Sequence, residues 1–146
     1  MKQFNAFTLT FVLSVLTSIL ITILALLVSP KVGHSQSGNF NLFGGQEILA
    51  AFIVGCIYGG ILGTIVGLLS GGFFSTVVVG RENSTEAYAL VVAFALLTGF
   101  GECVFFYFAD PSRFSEDGPI LPVYLVISGF LTSLIPQLLA KKWFGF

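Results

Sequence analysis

Four long apolar runs, separated by short polar stretches, set the architecture of this chain. The first, Phe4 to Val28, is apolar beyond Asn5 apart from its hydroxyls. At about 1.5 Å per helical residue it crosses a hydrocarbon core of ~30 Å with some tilt. A secretory signal would have an apolar core of only about 7 to 15 residues and a small-residue cleavage site, so this run is expected to stay as a membrane anchor. The other three runs cover about residues 47–79, 87–109 and 120–140. The pattern predicts an all-α integral membrane protein, a single domain over 1–146 with four transmembrane helices and short loops.

The second run carries glycine at every fourth position: Gly55, Gly59, Gly63, Gly67 and Gly71. In a soluble helix each would cost roughly 1 kcal/mol relative to alanine. In lipid, where burying leucine gains little, small residues four apart form a groove that lets another backbone approach, the GxxxG or glycine-zipper pattern. These five glycines are therefore the expected helix-packing interface. A straight helix over 47–79 would be roughly 48 Å long, so the run is expected either to tilt and protrude or to break at Gly71-Gly72. The first run has a matching small stripe, Thr10, Ser14, Ser18 and Thr22. Such hydroxyls either sit against a glycine groove or bond back to their own helix a turn earlier.

The connections are polar. Pro30 to Gln46 holds Lys31 and His34, and with no Cys, Asp or second His beside it His34 reads as a solvated loop residue. Gly80 to Glu86 is a tight turn whose Asn83-Ser84-Thr85 matches a glycosylation sequon, here too close to the membrane to be modified. Asp110 to Pro119 is an acidic loop. In the fourth run Pro122 falls in the first turn and Pro136 is expected to bend the far end, with Lys141, Lys142, Trp143 and Phe144 as an interfacial anchor. Lys2, Arg81, Lys141 and Lys142 fall on one side and Lys31 and Arg113 on the other, which the positive-inside rule reads as both termini cytoplasmic.

Composition narrows the picture further. Of 146 residues 55% are hydrophobic and 9% charged, against roughly 25% charged in ordinary globular domains, so the surplus apolar surface must face lipid. A net charge of -1 offers no basic face for nucleic acid. Cys56 and Cys103 lie inside apolar runs and form neither a disulfide framework nor a metal knuckle.

Glu102 is the residue that purely structural reasoning explains least. A carboxylate in a membrane helix is costly when ionised in lipid, so it is expected to face the bundle interior, a partner or water. Counting back from Ala109 puts it about 10 Å deep, level with Gly55 and Cys56 and near Ser18 or Thr22 and Ser128. The expectation is that Glu102 points toward the outer end of the glycine groove with hydroxyls of the first or fourth helix around it. It would serve there as an interhelical hydrogen-bond link or as an ion or proton site. The glycine-rich helix, the polar turn with Arg81 and the helix bearing Glu102 loosely resemble the hairpin of rotary ATPase proteolipid subunits, in which the helical carboxylate carries the ion. Arg81 is followed here by Glu82 and Asn83, and further helices flank the hairpin on both sides.

Enzyme readings find no residues to carry them. Ser70-Gly71 lacks a base, there is no phosphate-binding loop, and the run interiors hold no metal-spaced His and Glu pair. No cofactor is singled out; pigment or quinone contact through Glu102 or Gln137 stays open. The sequence therefore predicts a small accessory or structural subunit of a larger membrane complex, with the lipid bilayer and other transmembrane subunits as partners. The alternative is a homo-oligomeric ion or proton channel or transporter using Glu102.

Overall fold

The computed structural model describes residues 1–28, 45–112 and 120–143. The expectations about His34 and Lys31, about the acidic loop from Arg113 to Pro119, and about Phe144 lie outside the described residues. Four helices follow in order: α1 (Lys2–Val28), α2 (Gly45–Phe73), α3 (Ser84–Ala109) and α4 (Ile120–Trp143), with a five-residue π-helical turn, Phe74–Val78, prolonging α2. Each contains a span long and apolar enough to cross a membrane: Lys2–Leu27, Ile48–Val78, Ser84–Ala109 and Leu121–Trp143. The chain is an all-helical, multi-pass membrane protein in architecture, and no strand occurs among the described residues.

The long second helix does not break at the expected place. It passes through Gly71-Gly72 unbroken and then widens into the π-turn, closed by the Val79 N–H donating to the Phe74 carbonyl at 2.9 Å. The Gly72 carbonyl at the transition accepts from the Thr76 hydroxyl at 2.7 Å and the Ser75 hydroxyl at 3.1 Å, so the wider turn leaves it paired. Gly80, at φ +87°, then reverses the chain in a conformation that L side chains rarely adopt. Arg81 Nε donates to the Val77 carbonyl at 2.7 Å and satisfies one of the terminal carbonyls.

α3 begins at Ser84, three residues earlier than the apolar pattern indicates. Asn83 is its N-cap, its side-chain oxygen accepting from the backbone N–H of Thr85 at 3.1 Å and of Glu86 at 3.4 Å. The sequon asparagine thus has a structural task. Glu86, in the first turn, also pairs with Arg81 and ties the turn across itself. α4 runs to Trp143 beyond the expected Ala140, and its last turn carries Lys141 and Lys142, the charge that a helix C-terminus favours.

All five zipper-pattern glycines of α2 face α1. A Cβ on Gly59 would lie 2.6 Å from Ile19 Cα, and one on Gly63 2.7 Å from Val15 Cα. Gly67 and Gly71 meet the Phe11 and Phe7 carbonyls at 3.1 Å, and Gly55 meets Ile23. The groove is therefore filled within the chain by α1. Ser14 and Ser18 touch it too, Ser14 hydrogen bonding Ser70 across the interface at 3.1 Å. Thr22 instead bonds back to the Ser18 carbonyl at 2.8 Å, so both roles foreseen for the hydroxyl stripe occur.

α4 packs against α1 on one side and α3 on the other, and is the central element: 44% of its span is buried, against 17% of that of α3. At the end bearing both termini all four helices close on one apolar cluster of Ala6, Phe74, Val78, Ala87, Val91 and Ala140, and Phe73 stacks on Phe94 with centroids 4.2 Å apart. Toward the other end α2 rests on α1 and α3 rests on α4 while their remaining faces stay exposed.

Candidate functional site

Glu102 lies where α3 crosses α4. Gly99 and Gly129 make the crossing close: a Cβ on Gly99 would stand 2.5 Å from the Val126 carbonyl oxygen, and one on Gly129 would stand 2.6 Å from Glu102 Oε2 and 2.9 Å from Gly99 Cα. The carboxylate thus rests over the bare backbone of Gly129. This corrects the expected direction: α1 occupies the α2 glycine groove, so Glu102 turns to α4 instead. Gly101, which also flanks it in sequence, has open space beside it.

The hydroxyls expected at this depth are present, with one more polar group between them. The Tyr124 side chain of α4 hydrogen bonds with Ser128 one turn along and with Thr22 of α1. Three helices thus contribute Thr22, Glu102, Tyr124 and Ser128 to one cluster. Glu102 Oε1 is buried and has no hydrogen-bond partner among the described residues.

From this cluster a polar seam continues toward the termini. Thr10, Ser14, Ser18 and Thr22 on α1 are all buried, as are Ser128, Thr132, Ser133 and Gln137 on α4. The Gln137 amide donates to the Ser133 carbonyl at 3.1 Å and hydroxyl at 2.9 Å. That leaves Gln137 Oε1, Thr10 Oγ1 and Thr132 Oγ1 buried without partners among the described residues. An orphaned buried polar group costs about 1–3 kcal/mol, so three in one seam form a local concentration of unmet hydrogen-bonding capacity. Leu16, Leu20, Ile61, Leu68, Phe100 and Phe105 meanwhile face outward, so these polar side chains are buried beneath an apolar exterior.

The sequence reading missed Tyr124, Gly129 and Thr132. A signal for them existed: Tyr124, Ser128, Thr132 and Pro136 recur every four residues, the same period as Thr10 to Thr22. Among the described residues no group of three His, Cys, Asp or Glu gathers to hold a metal ion. Cys56 is exposed and Cys103 half-buried, both as free thiols. Comparison with protein-family models, with curated proteins and with solved structures finds no match.

Proposed function

We propose that this chain is a small structural subunit of a larger membrane assembly, and not an enzyme. The observation that carries the reading is the one-sided packing of α3. It buries only the stripe Ala87, Val91, Ala95 and Gly99 and presents Leu97, Phe100, Phe105 and Phe108 on its free faces. The zipper pattern of α2 is consumed in pairing with α1, which makes those two helices a rigid support and moves the partner surface to α3. Phenylalanine suits that surface, because its large rigid ring gains packing contacts at low entropic cost against neighbouring helices. The excess of Lys2, Arg81, Lys141 and Lys142 at the terminal end supports cytoplasmic termini. Native mass spectrometry of the tagged protein, extracted from its own cells in mild detergent, tests the reading. A stoichiometric set of other membrane proteins is the expected result; a bare monomer would overturn it.

One observation favours a second reading, conduction of protons or small cations. Glu102 sits among Thr22, Tyr124 and Ser128, from which buried polar side chains continue along α1 as far as Thr10 and along α4 as far as Gln137. Intramembrane carboxylates so placed commonly mark ion or proton paths. Reconstitution in liposomes with a pH-sensitive dye tests it: wild type should dissipate a proton gradient and Glu102→Gln should not. Equal flux in both would end this reading.

A further inference from the structure

We propose that the corner where the start of α1 meets the end of α4 binds the headgroup of an anionic phospholipid, its phosphate held by Lys2, Lys141 and Lys142. The site is separate from the free face of α3 and from Glu102, and it stands whichever reading of function holds.

Ala6 and Ala140 are both fully buried in the apolar cluster that closes this end of the bundle. Lys141 and Lys142 follow Ala140 directly. Lys2 precedes Ala6 by one helical turn, on the same face of α1 and about 6 Å nearer the membrane surface. The two alanines therefore draw lysines from two helix ends to one corner. Lys2 and Lys142 are exposed and Lys141 is half-buried, and none of the three belongs to an ion pair among the described residues. Arg81, the fourth basic residue at this end, is already committed to Glu86 and to the Val77 carbonyl. The first turn of α1 and the last turn of α4 carry no acid, which leaves Glu82, on the turn before α3, as the remaining carboxylate described at this end.

Unpaired lysines beside a bilayer attract anionic headgroups, by about fivefold in affinity for each. Lysine suits the task because its flexible stem lies along apolar surface while the ammonium turns to the phosphate. The neighbours complete a lipid contact. Phe4 and Trp143 are both largely exposed beside the lysines, and an indole favours the level where headgroups meet acyl chains. A zwitterionic lipid offers the same phosphate, but its own cation would confront the lysines, so the corner selects for net negative charge.

Trp143 is the single tryptophan of the chain and reports on the site without a mutation. The full-length protein is reconstituted in bilayers that contain phosphatidylglycerol or phosphatidylcholine brominated in the acyl chains, which quench an indole they touch. The relative binding constant should be about tenfold higher for phosphatidylglycerol. Equal constants would overturn the proposal. Lys2→Gln, a change in an exposed first turn, should cut the preference to about twofold, and Lys2→Arg should restore it. A preference unmoved by Lys2→Gln, with the variant monodisperse and helical, would show that the site does not span the two helices and would equally overturn it. Glycerol phosphate at matched ionic strength should leave the preference intact; abolishing it would assign the corner to soluble phosphate esters and end the lipid proposal.

Discussion

Gly99 and Gly101 are two residues apart on α3 and meet opposite surroundings. A methyl at Gly99 would press into the Val126 carbonyl, which as backbone cannot swing aside, whereas a methyl at Gly101 meets nothing within 4 Å. Gly99→Ala should therefore lower stability by about 1–3 kcal/mol, the usual cost of overpacking, while Gly101→Ala should be neutral or slightly stabilising through helix propensity. Unfolding titrations in mixed micles of mild detergent and SDS would show the difference directly. The same scale explains what the sequence revealed about Glu102. Its depth followed from counting residues along a helix, but its direction depended on which neighbour offered a bare backbone, and that was Gly129, a residue with no partner visible in its own run.

Among the elements, α1 and α2 are the most firmly coupled pair, and the coupling is specific to one face. Gly63→Leu would drive a side chain into the Val15 backbone and should separate the pair, whereas Gly60→Leu, at a position where an added Cβ meets nothing within 4 Å, should leave it intact. A disulfide trap between cysteines introduced at Val15 and Ile61 would report the outcome as loss or retention of cross-linking. At the head of α3, Asn83→Ala should cost about 1 kcal/mol by releasing two backbone N–H groups, measurable in the same unfolding titration. Helix number and approximate limits were legible in the sequence, because a run of more than 20 apolar residues has few alternatives. The early start of α3 was not, since the cap lies outside the apolar pattern and rests on the single side chain of Asn83. Nor was the π-turn: Phe73 to Val79 reads as ordinary apolar helix, and only the Thr76 and Ser75 hydroxyls at the Gly72 carbonyl disclose why the wider form is tolerated.

For the molecule as a whole, the four helices close at one end and spread toward the other, with α3 held by α4 alone over much of its length. If its free face docks a partner, replacing Phe100 and Phe105 together by alanine should strip co-extracted proteins while leaving the unfolding midpoint of the isolated chain within about 0.5 kcal/mol of wild type, as exposed positions generally do. Retained co-extraction would exclude that face. The interior of glycine, serine and threonine has a further consequence, for the temperature dependence of stability. Heat-capacity change on unfolding arises mainly from apolar surface newly exposed to water, and here the buried side chains are as often polar as apolar while many of the large apolar ones already lie on the outer faces. The bundle should therefore unfold with a heat-capacity increment far below the roughly 12–15 cal/mol/K per residue of soluble domains, and its stability curve should be nearly straight, without the low-temperature maximum that a hydrophobic core imposes.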